Sequence, residues 1–154
     1  MKLGFDIEPQ TQLRPRAKEV MNRGTRKKKI IVYDPEEVKR FKANASYIAR
    51  HLMKGELPLS GPLFAKIDFF RPMPKSFSKK KQEQAEARIV LPVTKPDVTN
   101  YSKAFEDALN GIVWEDDATI IQEVISKYYS KRPRIEIDVR QIEEGELSIK
   151  GSSE

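Results

Sequence analysis

Apolar residues recur along this chain with two distinct periods, and each period predicts its own kind of element. Val38, Phe41, Ala45, Ile48 and Leu52 return every three or four positions, the spacing of one helix face. Asp34-Pro35-Glu36-Glu37 stands just before them. Asp34 reads as the N-cap, Pro35 takes the first helical position and Glu37 completes a capping box, so a helix is predicted to about Met53. A second helix is predicted from about Thr99 to Leu109, apolar on Tyr101, Phe105, Ala108 and Leu109 and stopped by Asn110-Gly111. Strict alternation marks a strand in Arg134 to Ile142, with Ile135, Ile137 and Val139 on one side and Glu136, Asp138 and Arg140 on the other. Leu63 to Phe70 is apolar enough for a central strand, ended by Pro72 and Pro74.

Weaker signals fill the gaps. Leu3 to Ile7, Ile30 to Tyr33, Ile89 to Leu91 and Ile120 to Tyr129 read as further strands. Arg23 to Lys29 reads as a basic loop or hairpin tip, and Leu13 to Arg16 as extended because Pro15 disfavours the α region before it. Ser78 is placed to cap a short charged helix through Ala87 that has almost no apolar face. The elements do not repeat a βαβ unit, so the fold class is α+β: a small mixed sheet packed with helices. One domain is expected over residues 1–142. Residues 143–154, acidic and rich in Gly and Ser, are expected to form a disordered tail.

Composition narrows the partners. The chain of 154 residues carries a formal charge of +6, which favours a polyanion. Thirteen Lys or Arg stand against four acidic residues between Arg14 and Lys54, so the basic footprint belongs to the first half. Nucleic acid is the expected partner. No membrane contact is expected, since no apolar run approaches the roughly 18 residues of a spanning helix. Cysteine is absent, which excludes disulfides and thiolate metal sites, and a cytoplasmic setting fits best.

The acidic residues gather elsewhere, in Lys95-Pro96-Asp97-Val98-Thr99-Asn100, then Lys103, Asp107 and the pair Asp116-Asp117. Carboxylates close together in a basic protein point to a hard cation held near a phosphate. Thr99, Lys103 and Asp107 fall on one polar stripe of the predicted helix, opposite Tyr101 and Phe105. Each also has an ordinary explanation. Asp97 or Thr99 reads equally as a simple N-cap, Lys103 with Asp107 as a surface ion pair, and Asp116-Asp117 as a turn. His51 and Trp114 read as structural, the latter as a core or dimer-interface residue.

Taken together the series K-P-D-x-x-N-x-x-K-x-x-x-D-A-L-x-G, followed by D-D and a β-rich run, resembles the RusA family of crossover (Holliday) junction endodeoxyribonucleases. The early Arg14-Pro15-Arg16 and the Pro- and Lys-rich stretch from Met73 to Lys81 are similar to segments of that family, and the likeness spans roughly residues 8 to 140. It implies a homodimer that binds branched double-stranded DNA by shape and nicks four-way junctions symmetrically with Mg²⁺ or Mn²⁺, in recombination or repair, in a protein of phage or prophage type. It assigns the metal to Asp97, Asp116 and Asp117 and catalysis to Asp97, Lys103 and Asp117. Thr99, Asn100 and Asp107 become supporting residues. Phosphate contacts fall to Arg14, Arg16, Lys27, Lys28, Lys29, Lys79, Lys80 and Lys81. In one respect the chain departs from the pattern: Thr99 stands where many members have a second aspartate, and a hydroxyl is a poorer ligand for a hard cation. Either Asp116 or Asp107 supplies the missing charge, or the cation keeps one more water, or the chain is a junction-binding module whose cleavage is lost or weak.

Overall fold

The computed structural model describes residues 1–151. Its main sheet contains β1 (Lys2–Phe5), β4 (Leu63–Pro72), β5 (Ile120–Ser130) and β6 (Arg134–Gln141) in the order β1-β6-β4-β5. β4 runs parallel to β5 and antiparallel to β6, so the sheet is mixed, in an α+β fold as expected. Helices α1 (Glu36–Met53) and α3 (Val98–Leu109) cover one face, and the short α2 (Lys79–Glu86) lies near the end of β5.

Period-two burial builds the core. Leu63, Ala65, Ile67 and Phe69 of β4 join Ile135, Ile137 and Val139 of β6 beneath Phe41, Ala45, Ala49 and Met53 of α1 and Tyr101, Ala104, Phe105 and Ala108 of α3. Alanines on both helices let the backbones approach closely enough for the Ser46 hydroxyl to donate to the Ala108 carbonyl at 2.7 Å. Phe105 is the hub, edge-on to Phe5 at 4.9 Å and to Phe69 at 5.9 Å between ring centroids. Truncating such a residue to alanine costs about 3–5 kcal/mol. Trp114 is fully buried in the same cluster, so its place is the core.

Three local expectations are revised. Asp34 does not cap α1: the helix starts one residue later, with Pro35 at the cap position and no side-chain cap bond. The Asp34 carboxylate instead accepts from Lys42 Nζ at 2.9 Å and Gln12 Nε2 at 3.1 Å. Ile89 to Leu91 is not a strand, because the amides of Ile89 and Val90 both donate to the Gln84 carbonyl and close off the end of α2. A strand unseen in the apolar pattern, β2 (Arg16–Met21), pairs with β3 (Lys28–Tyr33) in a separate two-stranded ribbon. Its polar sequence lacks alternation, since neither face of the ribbon is buried.

Both faces of that ribbon mix charge with apolar side chains. Cross-strand register puts Arg16, Lys18, Val20, Lys29, Ile31 and Tyr33 on one face, and Ala17, Glu19, Met21, Lys28, Ile30 and Val32 on the other. The second face stays open, with Ile30 71% and Val32 65% exposed. The two ends of the main sheet also differ. β1 is a four-residue edge, whereas β5 is an eleven-residue edge whose main chain from Ile121 to Tyr129 bonds only to β4 among the described residues. After β6 the chain turns at Glu143–Ser148, tied to Arg140 through Glu146 at 2.8 Å. Residues 152–154 of the expected disordered tail lie outside the described residues.

Candidate metal and nucleic-acid site

Helix α3 organises every acidic residue singled out by the sequence, and it does so by separating them. Asp97 occupies the N-cap position with extended backbone (ψ 152°), yet its side chain makes no cap bond and the residue is exposed. The ordinary-cap explanation therefore does not account for this carboxylate. The turn that carries it is held from the sheet below. Arg71 of β4 donates to the carbonyls of Thr94 (3.3 Å) and Lys95 (3.2 Å), while Lys127 of β5 donates to those of Thr94 (2.9 Å) and Pro96 (3.1 Å). Two cations thus lie under the positive end of the helix, a setting that favours a phosphate. Neither was found by sequence reasoning, because each sits more than twenty residues from its partners and in an unremarkable strand context.

Above this end, Gln12 donates its amide to the Asn100 carbonyl at 2.9 Å and its side chain to Asp34. The segment leading into the basic ribbon is thereby fixed to the first turn of α3. Arg14, Arg16, Lys27, Lys28 and Lys29 are all exposed on that ribbon and its approach, and Lys79, Lys80 and Lys81 are exposed on the first turn of α2. Ser78 caps α2 by accepting from the Lys81 amide, as expected.

Thr99, Lys103 and Asp107 do share the exposed stripe of α3. Lys103 forms no ion pair with Asp107, whose carboxylate instead meets Lys42 of α1 at 3.3 Å. Among the described residues the Lys103 ammonium has no ion-pair partner. Lys42 also bridges to Asp34 at 2.9 Å, and its hydrogen bond holds the Asp34 carboxyl below the ordinary aspartate range.

Beyond the far end of α3, Asn110 orders the acidic pair. Its Oδ1 accepts from the Trp114 indole at 2.8 Å and from the Asp117 amide at 2.9 Å. Asp116 caps the short 3₁₀ turn Asp117–Thr119 by accepting from the Ala118 amide at 2.9 Å, which lowers its pKa. Asp117 behaves oppositely. Partial burial, then its hydrogen bond to Asp116 and the negative charges of Asp107 and Asp116, push its carboxyl upward. A carboxylate strained in this way is relieved by a cation, and hard oxygen donors suit Mg²⁺ or Mn²⁺ in kind. In number they fall short: among the described residues no three acidic or imidazole groups converge on one point.

Asp97 and Asp117 cannot make up that shortfall within one chain. The twelve residues of α3 span about 18 Å at 1.5 Å per residue, while the oxygens of two ligands on one Mg²⁺ stand about 3 to 4 Å apart. His51 is exposed in the last turn of α1, outside this constellation.

Comparison with known proteins places the whole of this constellation inside one family match. The family described as endodeoxyribonuclease RusA matches residues 6–140. An uncharacterized Bacillus subtilis protein, YqaN, is 39% identical over 137 residues, covering 88% of this chain and 92% of its own length.

Proposed function

The chain belongs to the RusA endodeoxyribonuclease family, and on that premise we propose that it is a divalent-metal-dependent nuclease that resolves four-way DNA junctions by symmetric nicking in recombination or repair. The observation that carries this reading is the division of the acidic residues between the two ends of α3, with Lys103, unpaired among the described residues, between them. A cation shared by Asp97 and Asp117 then needs two copies of the chain, Asp97 coming from one and Asp116-Asp117 from the other. A two-fold dimer holds two such sites, matching the two equivalent phosphates of a junction.

In this reading the ribbon cations Arg14, Arg16 and Lys27 to Lys29, together with Lys79 to Lys81, draw the DNA arms in by their phosphates. The N-terminal end of α3, with Arg71 and Lys127 beneath it, receives the scissile phosphate. Lys103, one turn inside, offsets the charge that develops on the phosphoryl oxygens. Asp97, Asp116 and Asp117 would hold the divalent cation, which when bound would supply Lewis-acid chemistry toward water and the phosphoryl oxygens. The Asn110 side chain keeps the acidic end of the helix in place, and the Asn100 main-chain carbonyl ties the other end to Gln12.

The test is cleavage of a labelled synthetic four-way junction with Mg²⁺ or Mn²⁺, beside linear duplex. Paired nicks on the junction that vanish in Asp117→Asn are expected; equal cutting of linear duplex would overturn junction resolution. A second reading is favoured by Thr99, exposed where a carboxylate would complete the ligand set, and by the absence of three convergent acids among the described residues. It makes the chain a junction-binding module with lost or weak cleavage. Tight binding without nicks would select it, and restored cutting in Thr99→Asp would locate the defect.

A further inference from the structure

The chain between α2 and α3 is anchored along its length and yet holds its apolar side chains in solvent. At its start the amides of Ile89 and Val90 donate to the Gln84 carbonyl, and the Arg88 guanidinium lies 4.2 Å from the centre of the Tyr128 ring. Pro92, in its middle, is buried. At its end Arg71 and Lys127 donate to the Thr94 carbonyl. Between these anchors Ile89, Leu91 and Val93 alternate outward, exposed by 71%, 50% and 91%. Single exposed apolar residues are ordinary on a protein surface, but a set of them on one anchored segment marks a contact. The surroundings choose the partner. Lys79, Lys80 and Lys81 precede the segment, Arg88 begins it and Lys95 follows it; all are exposed, and none forms an ion pair among the described residues. Glu83 and Glu86 are the acids in the same stretch, and Glu86 is engaged by the Ser130 hydroxyl. A frame of this sign takes a polyanion, and Asp97 stands four residues beyond Val93.

Regular duplex DNA offers phosphates and base edges to such a frame, while the flat apolar faces of its bases are covered by their neighbours in the stack. Those faces are uncovered where stacking is broken, as at a branch point. We propose that Ile89, Leu91 and Val93 form an apolar wedge that packs against the base faces laid bare at the branch point of a DNA junction. The proposal rests on the nucleic-acid reading above and adds to it the part of this chain that separates branched from linear DNA. Lys79 to Lys81 and Arg88 meet phosphates on either kind of DNA. The wedge gains burial where a base pair has lost a neighbour, and nowhere along an intact stack. A branched substrate is thereby seated with its crossover beside the turn that carries Asp97.

The test combines Ile89→Ser, Leu91→Ser and Val93→Ser in the full chain and measures binding without divalent metal, so that nothing is cut. The triple change is expected to weaken four-way junction binding about tenfold and to leave linear duplex within about twofold, with the salt dependence unchanged. A fluorescent adenine analogue placed beside the branch point should brighten when wild type binds, because its stacking is lost, and stay dim with the variant. Lys79→Gln with Lys80→Gln and Lys81→Gln should instead weaken both DNAs alike and flatten the salt dependence. Val93→Ser alone, at the most exposed position, repeats the fluorescence measurement should the triple variant fail to fold. Equal loss on both DNAs, or no loss on either, would overturn the wedge. A fall in mass by light scattering would overturn it too, by making the segment a contact between copies. Junction cutting by wild type with no effect of the triple change would sink the wedge alone. A selective loss of junction binding in a chain that never cuts would sink the nuclease reading and leave the wedge standing.

Discussion

The two ends of α3 are built on opposite principles. At the N-terminal end a single carboxylate, Asp97, is unbonded and sits among cations: Arg71 and Lys127 below, and the ribbon approach pinned at Asn100 beside it. At the other end Asp116 and Asp117 adjoin and feel the charge of Asp107, and the loop that carries the pair is held by Asn110, whose Oδ1 accepts from the Trp114 indole and the Asp117 amide. One end is ready for an anion and the other for a cation. Cleaving a phosphodiester with a metal needs both at one place, and a rigid helix keeps them apart in a single chain. A residue set can therefore be complete in sequence and still be incomplete in one molecule.

The strongest test of this contrast mixes two dead proteins. Asp97→Asn and Asp117→Asn are each expected to cut junctions at least about 10³-fold more slowly than wild type, since each removes a charge on which the transition state depends. Mixed in equal amounts and allowed to exchange, they should regain about a quarter of the wild-type sites, because half of the dimers are mixed and each holds one intact site. The products should be single nicks. No recovery would place both ends in one protomer and break the comparison.

Lys103 sharpens it from the middle. Lys103→Ala should lower the single-turnover rate of nicking about 10²-fold while junction affinity changes little, because its charge acts on the reacting phosphate. A loss confined to affinity would move Lys103 from chemistry to docking.

The periodic elements were legible in the sequence, and the reason is burial. α1, α3, β4 and β6 each bury one face, so their apolar spacing announces them. Ribbon strand β2 buries nothing and left no such trace, while Ile89 to Leu91 looked like a strand because three apolar residues are exposed or half-buried around the end of α2. At the site, the identities of Asp97, Lys103 and Asp117 could be read from motif spacing, as could the shared stripe of Thr99, Lys103 and Asp107. The roles of Arg71, Lys127 and Asn110 could not. They act on main-chain groups brought near only by the fold, and spacing holds no record of such contacts.

Asn110 gives an intermediate effect. Asn110→Ala leaves the buried Trp114 indole and the Asp117 amide without their acceptor, which should cost about 1–3 kcal/mol in urea unfolding. If the acidic end depends on that order, cutting should fall as well, while ribbon-mediated binding persists.

The smallest effect belongs to the clasp of Asp34, Lys42 and Asp107 that ties α1 to the acidic half of α3. The folded pKa of Asp34 lies below its unfolded value, so its contribution is present above the unfolded value and is lost as pH falls through the folded one. Asp34→Asn should therefore destabilise by about 1 kcal/mol near neutral pH, and the gap from wild type should close on acidification below the ordinary aspartate range. A gap independent of pH would assign the effect to packing.

The detached ribbon has a consequence of another kind. Its strands pair with each other and with no strand of the main sheet, so little of the packing energy of the body passes through them. Changes made there and changes made around α3 touch separate sets of neighbours, and their free energies should add. The reach and charge of the arm can then be altered without unsettling the fold beneath it.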